Sequence, residues 1–349
     1  MKKAFIFAAT AALVLASCAK NEIFTPSEND GNIPIGFGAY SSRTLDTKAS
    51  SDSYISSGST FSATSQHIGV YAMSGVNTTA NFMSNVDVTL EGSGATASQS
   101  YTPVKYWPKD ETVDANKLSF FAYYPYNGTG ITTTSLCTSR WGSIGFTAQN
   151  TAANQVDLMV SDAILDQYYS TNSGVVNFVF HHALSRVLFY FKVDTDYHSA
   201  GTDIVVTGVS LSNIKTTGTL TLTGTYSSST WAANSTPVVT FNPAYPATYL
   251  TTDAAPTEAA ANVFLMVPQD IDNAAVLTIT YTMEDLATHV VTNNTASVQL
   301  NTIEASGSAV TKWTKNMNIA YTITLSLNPI KFTASVTDWD GLTSAGVTI

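Results

Sequence analysis

Hydrophobic and polar positions alternate along most of the chain. HIGVYAM (67–73) sets Ile68, Val70 and Ala72 against Gly69, Tyr71 and Met73. A period of two puts successive side chains on opposite faces, which is strand geometry. The pattern recurs in VDVTLEG (86–92), KLSFFAYYP (117–125), VNFVF (176–180), SRVLFYFKV (185–193), DIVVTGVSLSNI (203–214) and GTLTLTGTY (218–226). It continues through PVVTFNP (237–243), NVFLMVP (262–268), AVLTITYTM (275–283), ASVQL (296–300), AYTITLSLN (320–328) and IKFTASVTDW (330–339). Gly, Asn, Asp or Pro bounds these runs, as turn residues do. No repeat of 20–50 residues is visible, which argues against a solenoid or propeller. The spacing predicts an all-β protein of two antiparallel β-sandwich domains in tandem. The polar stretch SDAILDQYYSTNSG (161–174) is the expected divide, with a helical turn near Ala163–Gln167. The expected domains are 33–172 and 173–349, with Asp194–Gly201 as the alternative boundary.

The first residues break this pattern. MKKAFIFAATAALVLASC places Lys2 and Lys3 before an apolar run from Phe5 to Ala16. That run is too short to span a membrane and is flanked like a signal peptide, so residues 1–17 are expected to be removed. Leu-Ala-Ser-Cys at 15–18 resembles a bacterial lipobox, which implies a lipid on Cys18. The Ala-Lys-Asn-Glu that follows resembles the signal that moves some Gram-negative lipoproteins to the outer face. Residues 18–32 are read as a flexible tether.

Charged residues are only 11% of the chain, against about 25% in an average globular protein. Hydrophobic residues are 44%, enough for a sizeable core, and the formal charge is −10. An acidic chain without a Lys/Arg cluster is a poor nucleic-acid binder. With Cys18 acylated, Cys137 has no partner in the chain, so stability is expected from β-packing and not from disulfides.

Catalytic motifs are missing: there is no G-x-S-x-G, H-E-x-x-H, P-loop or G-x-G-x-x-G. His181 and His182 are neighbours on a strand, so they point to opposite faces and cannot share a metal. Asp338-x-Asp340-Gly341 lacks the later ligands of a calcium loop and reads as a turn. Cys137 has no base to activate it. The five tryptophans, Trp107, Trp141, Trp231, Trp313 and Trp339, read as core. Neither an enzyme nor a cofactor is expected.

Four features occur in order. A short strand follows the lipobox. VKYWPKDE (104–111) leads into KLSFFAYYP. DLMVSDA (157–163) leads into VNFVFHHALSRVLFYFKV (176–193). AYTITLSLNPIKFTASVTDWD (320–340) comes last. The chain resembles the fimbrillin family, the type V pilin lipoproteins of Gram-negative gut and oral bacteria. The resemblance implies transthyretin-like topology in both sandwiches and a lipidated precursor at the outer membrane. It also implies a surface protease that cuts after a basic residue. The cut removes the anchor and the first strand, and a C-terminal segment of another subunit fills the vacated groove.

Both ends of the chain suit that scheme. In IPIGFGAYSSR (33–43), Ile33, Ile35 and Phe37 share one face and would fill the groove. Burying such side chains is worth roughly 1.5–3 kcal/mol each. Pro34, Gly36 and Gly38 weaken the strand and suit an edge. Arg43 follows in a loop of small polar residues where proteases cut, with Lys48 as the second candidate. At the other end, Ile330, Phe332, Ala334 and Val336 share a face and read as a last strand of their own domain. Beyond a turn, Leu342, Val347 and Ile349 mark an apolar segment suited to strand insertion. The resulting expectation is a fimbrial subunit that partners other pilin subunits. The alternatives are a tip or accessory pilin that only accepts a strand, or a lipid-anchored glycan-binding lipoprotein with clustered exposed aromatics.

Overall fold

A computed structural model describes residues 32–41, 66–77, 79–91, 98–138, 140–150, 154–234, 238–241, 245, 248–252, 263–327 and 331–339. The fold is all-β. Among the described residues the one α-helix, α1 (Tyr169–Asn172), is a single turn. Among the described residues no helix is long and apolar enough to cross a membrane.

Strands are numbered in chain order. The largest sheet has eight. In space it runs β1 (Gly36–Ser41), β10 (Val175–His182), β8 (Met159–Ser161), β5 (Leu118–Tyr124), β2 (Gln66–Ser74), β3 (Met83–Glu91) and β4 (Ser98–Ser100), with β9 (Ile164–Gln167) also paired to β5. A second sheet runs β14 (Thr230–Ala233), β13 (Thr217–Thr221), β7 (Ser143–Thr147) and β6 (Ile131–Thr132). A third runs β16 (Val263–Met266), β11 (Ser185–Val193), β23 (Met317–Leu325) and β24 (Lys331–Asp338). The fourth runs β15 (Val238–Phe241), β12 (Thr202–Lys215), β18 (Val276–Asp285) and β19 (Val290–Gln299). Two short ladders pair β17 (Gln269–Asp270) with β22 (Lys312–Trp313) and β20 (Glu304–Ala305) with β21 (Ser308–Ala309).

The sheets are not purely antiparallel, as the alternation led us to expect. β1 lies parallel to β10, and β11 lies parallel to β23. A period of two is the same in either direction, so the sequence pattern carries no information on strand polarity.

The eight-stranded sheet is buried on both faces at its centre. Ile68, Val70, Leu118, Phe120, Phe178 and Phe180 fill one core. Tyr71, Met73, Phe121, Tyr123 and Val160 face the opposite way, into a second core with Ile144, Phe146 and Leu220 of the second sheet. Burial on both sides explains why KLSFFAYYP reads as a nearly continuous apolar run. The second core extends without a break through Phe189, Leu277 and Tyr321 of the third and fourth sheets.

This arrangement bears on the expected division at residue 172. β10 lies beyond it yet pairs with β8 and β1 of the first sheet. Sheet membership changes at Ala183–Leu184, between β10 and β11. The second sheet also joins both sides of the division, because β13 pairs with β7 from Thr217↔Thr147 to Thr221↔Ser143. The stretch Ala163–Gln167 is mainly strand, since β9 pairs with β5. The helical turn falls just after it, in α1. β24 pairs with β23 along its whole length and is the last strand of its own sheet.

Candidate functional site

The first described residues lie in a slot with two walls. At its start the chain pairs with residues 105–107. The Trp107 N–H donates to the Ile33 carbonyl at 2.9 Å, and the Ile35 N–H donates to the Lys105 carbonyl at 2.9 Å. From Gly36 the partner changes. The Gly36 N–H donates to the Gly174 carbonyl at 2.8 Å. β1 then follows β10 from Gly36↔Val175 to Ser41↔Phe180.

Side chains close the other side of β1. The first sheet curls until β4 approaches β1. There the Phe37 N–H donates to Gln99 Oε1. The Tyr101 hydroxyl donates to the Ile35 carbonyl at 2.8 Å. The Trp107 indole N–H donates to the Gly174 carbonyl at 3.1 Å. The Phe37 N–H of β1 and the Ile35 carbonyl just before it are thus met by side chains, not by another strand.

The floor of the slot is apolar. Ile35 is fully buried, Phe37 and Ala39 are buried, and Ile33 packs half-buried beside them. The Phe37 ring stacks on Phe178 at 6.0 Å and 10°. It meets Tyr101 edge-on at 5.4 Å and Phe120 at 6.0 Å. Burial pushes the Tyr101 phenol up to about 12, against the Lys105 hydrogen bond, which lowers it. The structure therefore brings Ile33, Ile35 and Phe37 together on one apolar floor. Cys18, Arg43, Lys48, Leu342, Val347 and Ile349 lie outside the described residues, as do the signal peptide and most of the tether. Ser41, the last described residue of β1, is two positions before Arg43.

A second cluster lies where β10 leaves the first sheet. His182 Nδ1 is 2.7 Å from Asp157 Oδ2, with both side chains almost fully buried. The Trp339 ring lies on the His182 ring at 4.0 Å and 7°. The Trp339 N–H donates to the Asn316 carbonyl at 2.8 Å. His181 faces the other way, 3.1 Å from Asp162 and stacked on Tyr226. The Lys315 ammonium sits 4.2 Å over the same Tyr226 ring, and burial lowers its pKa. The two histidines thus pack against different partners. Among the described residues no three His, Cys, Asp or Glu side chains converge as metal ligands would. Cys137 is buried, and burial pushes its thiol up to about 12. Trp107, Trp141, Trp313 and Trp339 are buried in the core, and Trp231 on β14 is half-buried.

Sequence reasoning did not find Gln99, Tyr101 or Gly174 as walls of the slot, or Asp157 as the partner of His182. Trp107 was visible within VKYWPKDE. Nothing local marks Gln99, whose role comes from the curl of the sheet.

The comparisons with known proteins agree with one another. Residues 47–339 match the profile of the family described as Fimbrillin-like. The chain is 33% identical over 223 residues to the fimbrium subunit Fim1C of Phocaeicola vulgatus, covering 59% of this chain and 56% of that protein. The matched region is thus little more than half the length of that relative. A crystal structure of a fimbrial protein from Bacteroides vulgatus superposes with a TM-score of 0.57 at 20% identity, covering 88% of this chain and all of that one. At that identity the likeness concerns the fold.

Proposed function

The chain belongs to the fimbrillin-like family, and from that premise we propose that it is a fimbrial subunit assembled by strand exchange. It is exported as a lipoprotein anchored through Cys18 in the outer membrane. A surface protease cuts after Arg43, or after Lys48. The cut separates Ile33, Ile35 and Phe37 from the rest of the chain together with the lipid. A donor segment containing Leu342, Val347 and Ile349 from another subunit then takes their place.

One observation carries this reading. The buried first strand is held by a parallel pairing at one end of the sheet, and its free side is met by Gln99 and Tyr101 side chains. It fills a core, and its departure would break its own pairings with β10 and with residues 105–107 but no pairing between other strands. What it leaves behind is an apolar floor of Phe120, Phe178, Tyr101 and Trp107. Unpaired backbone groups would remain on β10 and at Lys105 and Trp107, which is a template for another strand.

The test is brief digestion of the folded chain, carrying Cys18→Ser, with an arginine-specific protease. The new N-terminus is sequenced, and Arg43→Ala serves as control. A cut after Arg43 followed by SDS-resistant multimers is the expected result. Deleting residues 342–349 should abolish the multimers. A clean cut without multimers would point to a subunit that only accepts a strand. A folded monomer resistant at Arg43, and resistant at Lys48 to a parallel digestion with a lysine-specific protease, would overturn the processing scheme.

A further inference from the structure

The slot is selective at one backbone position. Gly36 lies between the two inward side chains Ile35 and Phe37. A Cβ at residue 36 would stand 2.9 Å from Gln99 Nε2, 3.0 Å from Val175 Cγ2 and 3.3 Å from the Gly174 carbonyl oxygen. The backbone has little room to retreat, because the Gly36 N–H is bonded to that same carbonyl. Gln99 is held as well, since its Oε1 accepts from the Phe37 N–H. A Cβ here would have to push the Gln99 amide and Val175 aside, so a strand seated as β1 is seated favours glycine at this position and apolar residues on both sides.

The C-terminal segment GLTSAGVTI (341–349) holds two glycines. Gly341 is flanked by Asp340 and Leu342. Placing it at the Gly36 position would put a carboxylate into one of the two sites now filled by Ile35 and Phe37, which are 0% and 5% exposed. Burying an unpaired charge there is prohibitive. Gly346 is flanked by Ala345 and Val347. We propose that segment 342–349 of a second copy enters the slot in the register that puts Gly346 at the Gly36 position, with Ala345 and Val347 in the flanking pockets. The inference rests on the slot being a strand acceptor, and adds the register and the residue that sets it. Ala345 and Val347 are smaller than Ile35 and Phe37, so the flanking pockets are underfilled and a larger neighbour binds more tightly.

The test uses the Cys18→Ser chain, clipped at Arg43 and kept dilute, with its N-terminal fragment still seated. Synthetic peptides of residues 340–349 compete for the slot, and release of the fragment is followed. The unmodified peptide should release it. Gly346→Val should need roughly 10- to 100-fold more peptide, the usual size of an overpacking penalty. Val347→Phe should need about tenfold less, from the restored aromatic contact. The handicap of a Gly346→Ala peptide should shrink on a Val175→Ala chain. If the unmodified and Gly346→Val peptides act alike, the register is wrong while the acceptor reading stands. If no peptide releases the fragment, the acceptor reading fails and the register falls with it.

Discussion

Phe37→Ala removes an aromatic side chain that β1 buries in the core. The ring is 5% exposed and touches three aromatic rings, of Tyr101, Phe120 and Phe178. Truncating a buried Phe costs about 3–5 kcal/mol, part of it lost transfer energy and part the cavity left behind. β1 is held by β10 on one side and by Gln99 and Tyr101 side chains on the other, so its neighbours relax more than in a central strand. That argues for the lower end, about 3 kcal/mol. In the intact chain the loss is read from guanidinium unfolding of the first sheet. In the chain cut after Arg43 the same contacts hold a separate fragment. There a loss of about 3 kcal/mol becomes roughly 100-fold weaker retention. Ile33→Ala, at a half-buried position, should have a smaller effect in both assays. A Phe37→Ala chain whose unfolding midpoint and fragment retention both match the parent would refute the claim that β1 is held by its apolar face.

Further outcomes follow from burial elsewhere. Burial holds the Tyr101 and Tyr124 phenols up at about 12, above the ordinary value of 10.0. The folded chain therefore keeps protons that the unfolded chain releases above pH 10, and stability falls as pH rises from 10 through 12; a flat unfolding midpoint from about pH 9 to 11.5 would contradict this. Burial likewise raises the Cys137 thiol to about 12. In a Cys18→Ser chain a thiol reagent at neutral pH should label nothing until guanidinium unfolds the protein. Trp339→Ala uncovers the buried His182–Asp157 pair, and should cost about 3–5 kcal/mol, with limited proteolysis reporting early release of β24.

The elements were legible where burial is simple. Runs such as AVLTITYTM and AYTITLSLN show a period of two because one face of the strand meets a core. The segment IPIGFGAY could also be read, since Ile33, Ile35 and Phe37 share a face and the intervening glycines suit an edge. Polarity was not legible, because alternation looks the same in parallel and antiparallel pairs. The membership of β10 was hidden for a related reason. VNFVF and SRVLFYFKV are separated by only a few residues, yet the chain changes sheet at Ala183–Leu184. No composition shift marks a change made by packing. Gln99 and Asp157 were out of reach for a different reason. Each acts on a partner far along the chain, Phe37 and His182, and single polar residues carry no periodic signal. β7 and β14 escaped notice because they are short and half-polar. They matter because the second sheet covers the outer face of the first.

β10 links the slot to the Trp339 cluster, and that link has a measurable consequence. Phe37 aligns with Val176 near the start of β10, and His182 ends it. At about 3.3 Å per residue, six residues put the two sites roughly 20 Å apart. They share no side-chain partner: Phe37 touches Tyr101, Phe120 and Phe178, while Trp339 lies on His182. Sites that far apart, with no common contact, add their effects to within about 0.5 kcal/mol. The chain carrying both Phe37→Ala and Trp339→Ala should therefore lose the sum of the two single losses. A sum exceeded or undershot by more than about 1 kcal/mol would mean that β10 transmits strain along its length. Emptying the slot would then loosen the attachment of β24, and separate donor and acceptor sites would no longer describe the molecule.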